Sequence, residues 1–238
     1  MCTVTYLPVD NQNFILTSNR DEHVNRPTAF LPDFLYIDNV KILCPVDAKA
    51  KGTWIATTSY RTVCLLNGAF TPHQPKEKYR LSRGQVVMDS FKYLDLERFF
   101  SEYDLTDIEP FTLVMVNHNP LLLTELIWNG EQKVITKKNP SEPCIWSSVT
   151  LYPPDVVNQR KNWFEIFLHN HFQHQEKNLT KIIDFHRFGG EGDRENDILM
   201  NRQGRLLTVS ITSVLMTKEE QKMYYFDLIN QQEKEIIY

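Results

Sequence analysis

Cys2 stands directly behind Met1, and the tetrapeptide Asn19-Arg20-Asp21-Glu22 follows within the same short segment. A methionine aminopeptidase removes Met1 only when the next side chain is small, and cysteine qualifies. Removal leaves a thiol and a free α-amino group on one residue. Reference pKa values of about 7.7–8.0 for the amine and about 8.5 for the thiol put both near their working forms at neutral pH. Nucleophile and base then share one residue, which is the chemistry of amide cleavage from a chain terminus. Taken alone, Cys2 also reads as an arbitrary residue behind a start codon.

The elements around it bear on that choice. Val4 and Tyr6, then Phe14 to Leu16, form two strand-like runs broken by Pro8-Val9-Asp10-Asn11-Gln12-Asn13, whose Asp and Asn residues suit a turn. A hairpin centred between Asp10 and Asn11 sets Cys2 across from Asn19, with Arg20 and Asp21 one step beyond. A guanidinium beside the thiol favours the thiolate. Asp21 then holds the α-ammonium or orients an arriving amide. The alternative is an Arg–Asp pair that ends a strand and tethers a loop.

Met1-Cys2, Asn19–Glu22, Arg26-Pro27-Thr28, Gly52-Thr53-Trp54 and Asn67, in this order and spacing, resemble the NRDE family, also called the transport and Golgi organisation 2 family. The remaining two thirds of the chain matches it in general layout. That family is similar in turn to the penicillin acylase and bile salt hydrolase group of N-terminal-nucleophile enzymes. The resemblance implies an α+β fold, a four-layer αββα sandwich forming one domain over residues 1–238, and hydrolysis of a C–N bond. It places the nucleophile on Cys2, gives Arg20 and Asp21 supporting roles, and puts Asn67 in the oxyanion hole. Asn19, Ser148 and Phe30 are the candidate substrate contacts. No metal and no cofactor are expected.

Two positions depart from the family pattern. Ser148, in "IWSSVTLYPP", stands where the family usually offers an asparagine. Val209, in "LLTVSITSV", stands where it often carries an arginine. Loss of one oxyanion donor costs roughly 10²–10³ in turnover. These departures favour a second reading, a non-catalytic carrier or chaperone of a hydrophobic ligand such as haem or lipid, a kind of handling associated with family members. Cys2 or a histidine then serves as an axial ligand. The intact Cys2–Arg20–Asp21 set favours an enzyme acting on a small, hydrophobic linear amide. A third reading is a degenerate fold kept for protein interaction.

With 238 residues and 42% hydrophobic content, the chain can bury a large core. A net charge of −4 and a pI near 6.0 argue against nucleic-acid binding. No apolar run is long enough to span a bilayer. The opening "MCTVTYLPVDNQ" lacks a basic start and a signal-type core, so a cytoplasmic location is expected. Cys2, Cys44, Cys64 and Cys144 show no paired metal-ligand spacing, and the last three read as buried small hydrophobes. Among His169, His171 and His174 only the last two share a helical face, so the cluster reads as a solvated surface. Gly189 to Asp197 lacks the ligand order of a calcium loop and reads as a flexible acidic loop, a possible lid.

Strands are expected over Val40–Cys44, Trp54–Thr58, Thr62–Asn67, Phe111–Val116, Leu122–Trp128, Lys133–Thr136, Leu206–Met216 and Lys222–Asn230, with a frayed end beyond. One helix is expected from Ser82 to Phe100, capped by Ser82, and another from Pro153-Pro154-Asp155. The loop between Val24 and Val40 carries Phe30, Phe34, Leu35 and Tyr36. It either walls a pocket for an acyl chain or tacks itself onto the domain. Strands, then helices, then strands predict two sheets packed face to face with helices outside.

Overall fold

The computed structural model describes residues 3–172 and 178–238; Cys2 and His174 lie outside them. The elements in chain order are β1 (Thr3–Pro8), β2 (Phe14–His23), β3 (Phe30–Ile37), β4 (Val40–Val46), β5 (Ile55–Thr57) and β6 (Arg61–Asn67). Helices α1 (Arg83–Ser90) and α2 (Leu96–Glu102) follow, then β7 (Phe111–His118), β8 (Leu121–Trp128), β9 (Lys133–Lys138) and β10 (Cys144–Ser147). Helices α3 (Pro154–Phe172) and α4 (Leu179–Phe188) precede β11 (Asn201–Arg202), β12 (Leu206–Met216), β13 (Gln221–Asp227) and β14 (Gln232–Ile237).

The strands build two antiparallel sheets. One has the order β10-β1-β2-β12-β13-β14, with β11 beside β12; the other runs from β3 to β9 in chain order. Alternation along the first hairpin explains the layering. Val4, Tyr6, Phe14 and Leu16 enter the main core with residues of the second sheet. Leu7 and Ile15 face the other way, against Phe164, Phe167, Ile182 and Phe185 of α3 and α4. Helix α1 packs on β5 and β6 of the second sheet. The result is an α+β protein with its sheets face to face and helices against them. Among the described residues no helix is long and apolar enough to cross a membrane.

The hairpin register differs from the expected one. Thr3 pairs with Asn19 and Pro8 with Phe14, so the turn is centred on Asn11. Asp10 is the cause: its carboxylate accepts from the backbone N–H groups of Gln12 (2.7 Å) and Asn13 (2.8 Å) and from the Asn13 amide (2.7 Å). These bonds hold a longer turn than the sequence suggested, and Thr3 rather than Cys2 stands across from Asn19.

The expected helix from Ser82 to Phe100 is broken. Arg61, fully buried on β6, donates to the carbonyls of Ser90 (3.2 Å), Tyr93 (2.8 Å) and Leu94 (2.7 Å) and to Asn117 Oδ1 (2.7 Å). A cation at a helix C-terminus satisfies carbonyls that the helix leaves open. Asp95 then starts α2 afresh by accepting from the Glu97 N–H at 3.0 Å. The loop expected between Val24 and Val40 contains β3, which pairs with β4, and the end expected to fray is β14. The Gly189–Asp197 segment is stapled by Asp197, whose carboxylate accepts from Glu191 N (2.9 Å) and Gly192 N (3.1 Å). It lines neither of the clefts described below that border Asn67. Short β10 and helix α4, whose N-cap Asn178 accepts from Lys181 N at 3.0 Å, were not anticipated.

Two buried histidines tie the layers together. His118 Nε2 meets Thr62 Oγ1 at 2.9 Å, Thr62 meets Thr57 at 2.7 Å, and Gln221 of the opposite sheet donates to Thr57 Oγ1 and to Thr58 O (2.9 Å). His186 lies between Thr5 Oγ1 (2.8 Å) and Asn19 Oδ1 (2.7 Å). Because Asn19 Nδ2 donates elsewhere, its oxygen must accept from His186 Nδ1–H, and Nε2 accepts from Thr5. Burial pushes His118 down to about 4 and His186 to about 3, the latter helped by the Arg160 charge. The unfolded chain therefore protonates first: the contribution is complete above the ordinary histidine value of 6.5 and is lost as pH falls toward about 4 and about 3. Unfolding free energy is expected to drop by about 1.4 kcal/mol per pH unit per histidine below that value. Urea titrations at steps between pH 7 and pH 5, above most carboxylate titration, check this; a flat profile refutes it.

Candidate functional site

Register decides which side chains meet. Asn19 and Arg20 are neighbours on β2 and so point to opposite faces. Arg20 enters the space between the sheets, buried, with its guanidinium carbon 4.7 Å from the Trp54 ring centroid and Nη2 donating to Asp47 Oδ2 at 2.6 Å. Arg26 grips the same carboxylate through Nε (2.9 Å) and Nη2 (3.1 Å). Asp47 also accepts from the backbone N–H groups of Lys49 (3.0 Å) and Ala50 (2.7 Å). Glu22 completes the cluster, 3.6 Å from Arg20 and 3.3 Å from Arg26. Burial pushes the Asp47 carboxyl up, but the Arg26 hydrogen bonds, the Ala50 N–H and both guanidinium charges outweigh it and hold it below the ordinary carboxylate value. These groups open onto a cleft of about 390 Å³ that Trp54, Asn67, Arg83 and Glu109 also line.

Asp21 lies on the far side of the strand. Its carboxylate accepts from Thr208 Oγ1 (2.6 Å) and from the Tyr152 hydroxyl (2.9 Å). A β-bulge in β12 makes this possible: Thr208 pairs with Asp21 and Ser210 with Arg20, leaving Val209 as the extra residue. Val209 thus sits between the partners of both charged side chains, half-buried, and its carbonyl accepts from Leu228 N at 3.0 Å.

The remaining candidates fall in different places. The Asn19 amide is committed to the layer of α4, donating to His186 O (3.2 Å) and Ile198 O (2.8 Å) while its oxygen takes the His186 proton. Ser148, buried, donates to Asn67 O at 2.7 Å and meets Thr150 Oγ1 at 2.8 Å. It therefore fixes the end of β6 rather than offering its hydroxyl to the cleft. Gly68 follows with φ +87°, and an added Cβ there would come within 2.7 Å of Thr150 Cγ2 and 2.8 Å of Val149 Cγ2. Asn67 borders two clefts at once, the charged one and an apolar one of about 520 Å³ whose walls include Ile127, Ile145, Trp146, Val149 and Phe164. Phe30 lines neither; it is 55% exposed on β3, with Lys51 Nζ 4.9 Å from its ring centroid. Cys2 lies outside the described residues.

The other thiols are poor nucleophiles. Burial pushes Cys44 and Cys64 up to about 12, and raises Cys144 above its ordinary value as well. Among the described residues no group of three or more His, Cys, Asp or Glu is arranged to hold a metal ion. Asp47, Tyr152 and Thr208 escaped the sequence reading. A buried Arg20 demands a counter-charge, and Asp47, just ahead of Gly52-Thr53-Trp54, was the acidic residue to ask for; Tyr152 and Thr208 carried no local signal.

Two antiparallel sheets in an α+β fold, with an Asn-Arg-Asp-Glu run splitting its side chains between the inter-sheet cleft and the helical layer, define the class of protein. The chain matches the family described as Transport and Golgi organisation 2 over residues 1–225, and it belongs to that family. No curated protein matches it.

Asp47 is the common anchor of Arg20, Arg26 and the turn that follows it. Replacing it by asparagine removes the short ion pair of the buried Arg20 and leaves Glu22, at 3.6 Å, as its remaining carboxylate; breaking a buried pair typically costs about 3–5 kcal/mol. Asp47→Asn is expected to lose about that much stability in urea denaturation; a loss below about 0.5 kcal/mol, the range of an ordinary surface change, would show that the clamp is not needed.

Proposed function

We propose that the chain is an N-terminal cysteine amidohydrolase on an N-terminal-nucleophile type of αββα scaffold, cleaving a non-peptide C–N bond of a small, hydrophobic amide. The observation that carries this reading is the Thr3–Asn19 pairing. One peptide unit keeps the Cα of Cys2 about 3.8 Å from that of Thr3, so the nucleophile is tethered at the end of β1 where Arg20 and Asp21 begin on the neighbouring strand.

With Met1 removed, the α-amine takes the thiol proton and the thiolate attacks the amide carbonyl carbon. The Arg20 charge favours the thiolate. Negative charge then gathers on the carbonyl oxygen, where the Asn67 amide and a backbone N–H donate to it. The C–N bond breaks as the ammonium returns its proton to the leaving amine. Water, deprotonated by the same amine, releases the acyl group from Cys2. The apolar cleft beside Asn67 supports a hydrophobic acyl group. Asp21, held by Tyr152 and Thr208, supplies the negative charge that orients the terminal amine.

The apolar cleft also supports the second reading, a carrier of a hydrophobic ligand such as haem or lipid, for which Val209 in place of a cation is no handicap. Intact mass before and after a thiol-directed acylating probe separates the two. The hydrolase predicts loss of Met1 and a single adduct on Cys2 that disappears in Cys2→Ala. Retained Met1, or an unreactive Cys2 in protein from its native host, overturns the hydrolase and leaves the carrier.

A further inference from the structure

Arg160 of α3 is fully buried, yet none of its hydrogen-bond partners among the described residues is a carboxylate. It donates to Thr3 Oγ1, to Asn196 O (3.1 Å) and to Asp197 O, and its guanidinium carbon lies 3.6 Å from the Tyr152 ring centroid. Burying a charge costs several kcal/mol unless something compensates. Here the compensation is a set of neutral acceptors and an aromatic face. These acceptors are not scattered. Thr3 is the residue bonded to Cys2, and Tyr152 is the residue whose hydroxyl holds Asp21 at 2.9 Å. One side chain therefore touches both supports of the chain terminus from a helix far away in sequence.

We propose that Arg160 is a positioning residue for the terminal cysteine: it fixes the end of β1 through Thr3, the residue that carries Cys2, and brings to that end of the strand a positive charge with no carboxylate hydrogen-bonded to it among the described residues. This rests on the hydrolase reading above. A nearby cation disfavours the ammonium and favours the thiolate, the two protonation states that reading needs. Among the described residues, the other charged and titratable groups near this end of the strand pair include Arg20 and Asp21 from β2, Glu22 and Asp47 on Arg20, Cys64 from β6, Tyr152 ahead of α3, His186 from α4 and Asp197, whose backbone carbonyl Arg160 reaches. Arg20 has the Asp47 carboxylate on it at 2.6 Å, whereas Arg160 has no such partner among the described residues, so its field reaches further. The same charge acts on His186, which burial and then Arg160 keep neutral.

The test reads thiol chemistry rather than turnover. Protein freed of Met1, verified by mass, is alkylated with iodoacetamide across a pH series, and the adduct on Cys2 is quantified by peptide mapping. Arg160→Met is expected to move the midpoint of the rate profile up by about one unit, making alkylation at neutral pH about tenfold slower; Arg160→Lys restores it. Thr3→Val cuts the same link from the other end. It is expected to slow Cys2 alkylation by about fivefold, near the worth of one hydrogen bond, with Thr3→Ser as the rescue. An unchanged midpoint in folded Arg160→Met overturns the proposal, and where that variant does not fold, wild-type alkylation by Thr3→Val overturns it. If the midpoint moves but no amide is hydrolysed, the hydrolase reading fails while the role of Arg160 stands.

Discussion

Which way Arg20 points is settled at the other end of its hairpin. The carboxylate of Asp10 closes the turn around Asn11, and that closure fixes the pairing of β1 with β2. Both faces of this strand pair are covered, one by the second sheet and one by α3 and α4. In most surface hairpins a slip of one position exchanges a wet face for a dry one. Here it would exchange two different interiors. Arg20 would leave Asp47 and Trp54 for the helices, and Asn19 would leave His186 for the inter-sheet cleft. The polar side chains along β2 are specific to their layer, so they lock the register that they depend on.

Three buried guanidinium groups show how differently one fold can treat the same charge. Arg20 shares a carboxylate with Arg26, Arg61 collects the open carbonyls behind α1, and Arg160 rests on a ring, a hydroxyl and two loop carbonyls. Burial draws Arg61 down to about 10, still well above neutrality. Arg61 is accounted for by the chain ends that it closes. Arg20 and Arg160 lie on opposite faces of the β1–β2 pair, the first answered by a carboxylate and the second by neutral acceptors.

Much of this was legible in the residues. Alternation along Val4, Tyr6, Phe14 and Leu16 announced the first hairpin, and Asn129-Gly130 lies at the β8–β9 turn that its dipeptide suggests. Elements were missed where local pattern is weak. Strand β3 contains Pro32 and leaves Phe30 and Tyr36 exposed, and β10 is too short to show a period. The break between α1 and α2 is imposed by Arg61, which is distant in sequence, so no window over Ser82–Phe100 could reveal it. Site residues divide in the same manner. Arg20 and Asp21 announce themselves by type and place, whereas Asp47, Tyr152, Arg160 and Thr208 become partners only once the layers are stacked.

The polar bridge from His118 through Thr62 and Thr57 to Gln221 crosses between the two sheets. Apolar side chains resist separation of two packed sheets but resist sideways displacement only weakly, because the hydrophobic effect has no preferred direction. Hydrogen bonds lose most of their strength with modest changes in angle. The bridge therefore works as a dowel, pinning one sheet against translation over the other. Asn67 belongs to one sheet and Arg20 to the other, and the opening between them keeps its width because a distant set of threonines does not let the layers shear.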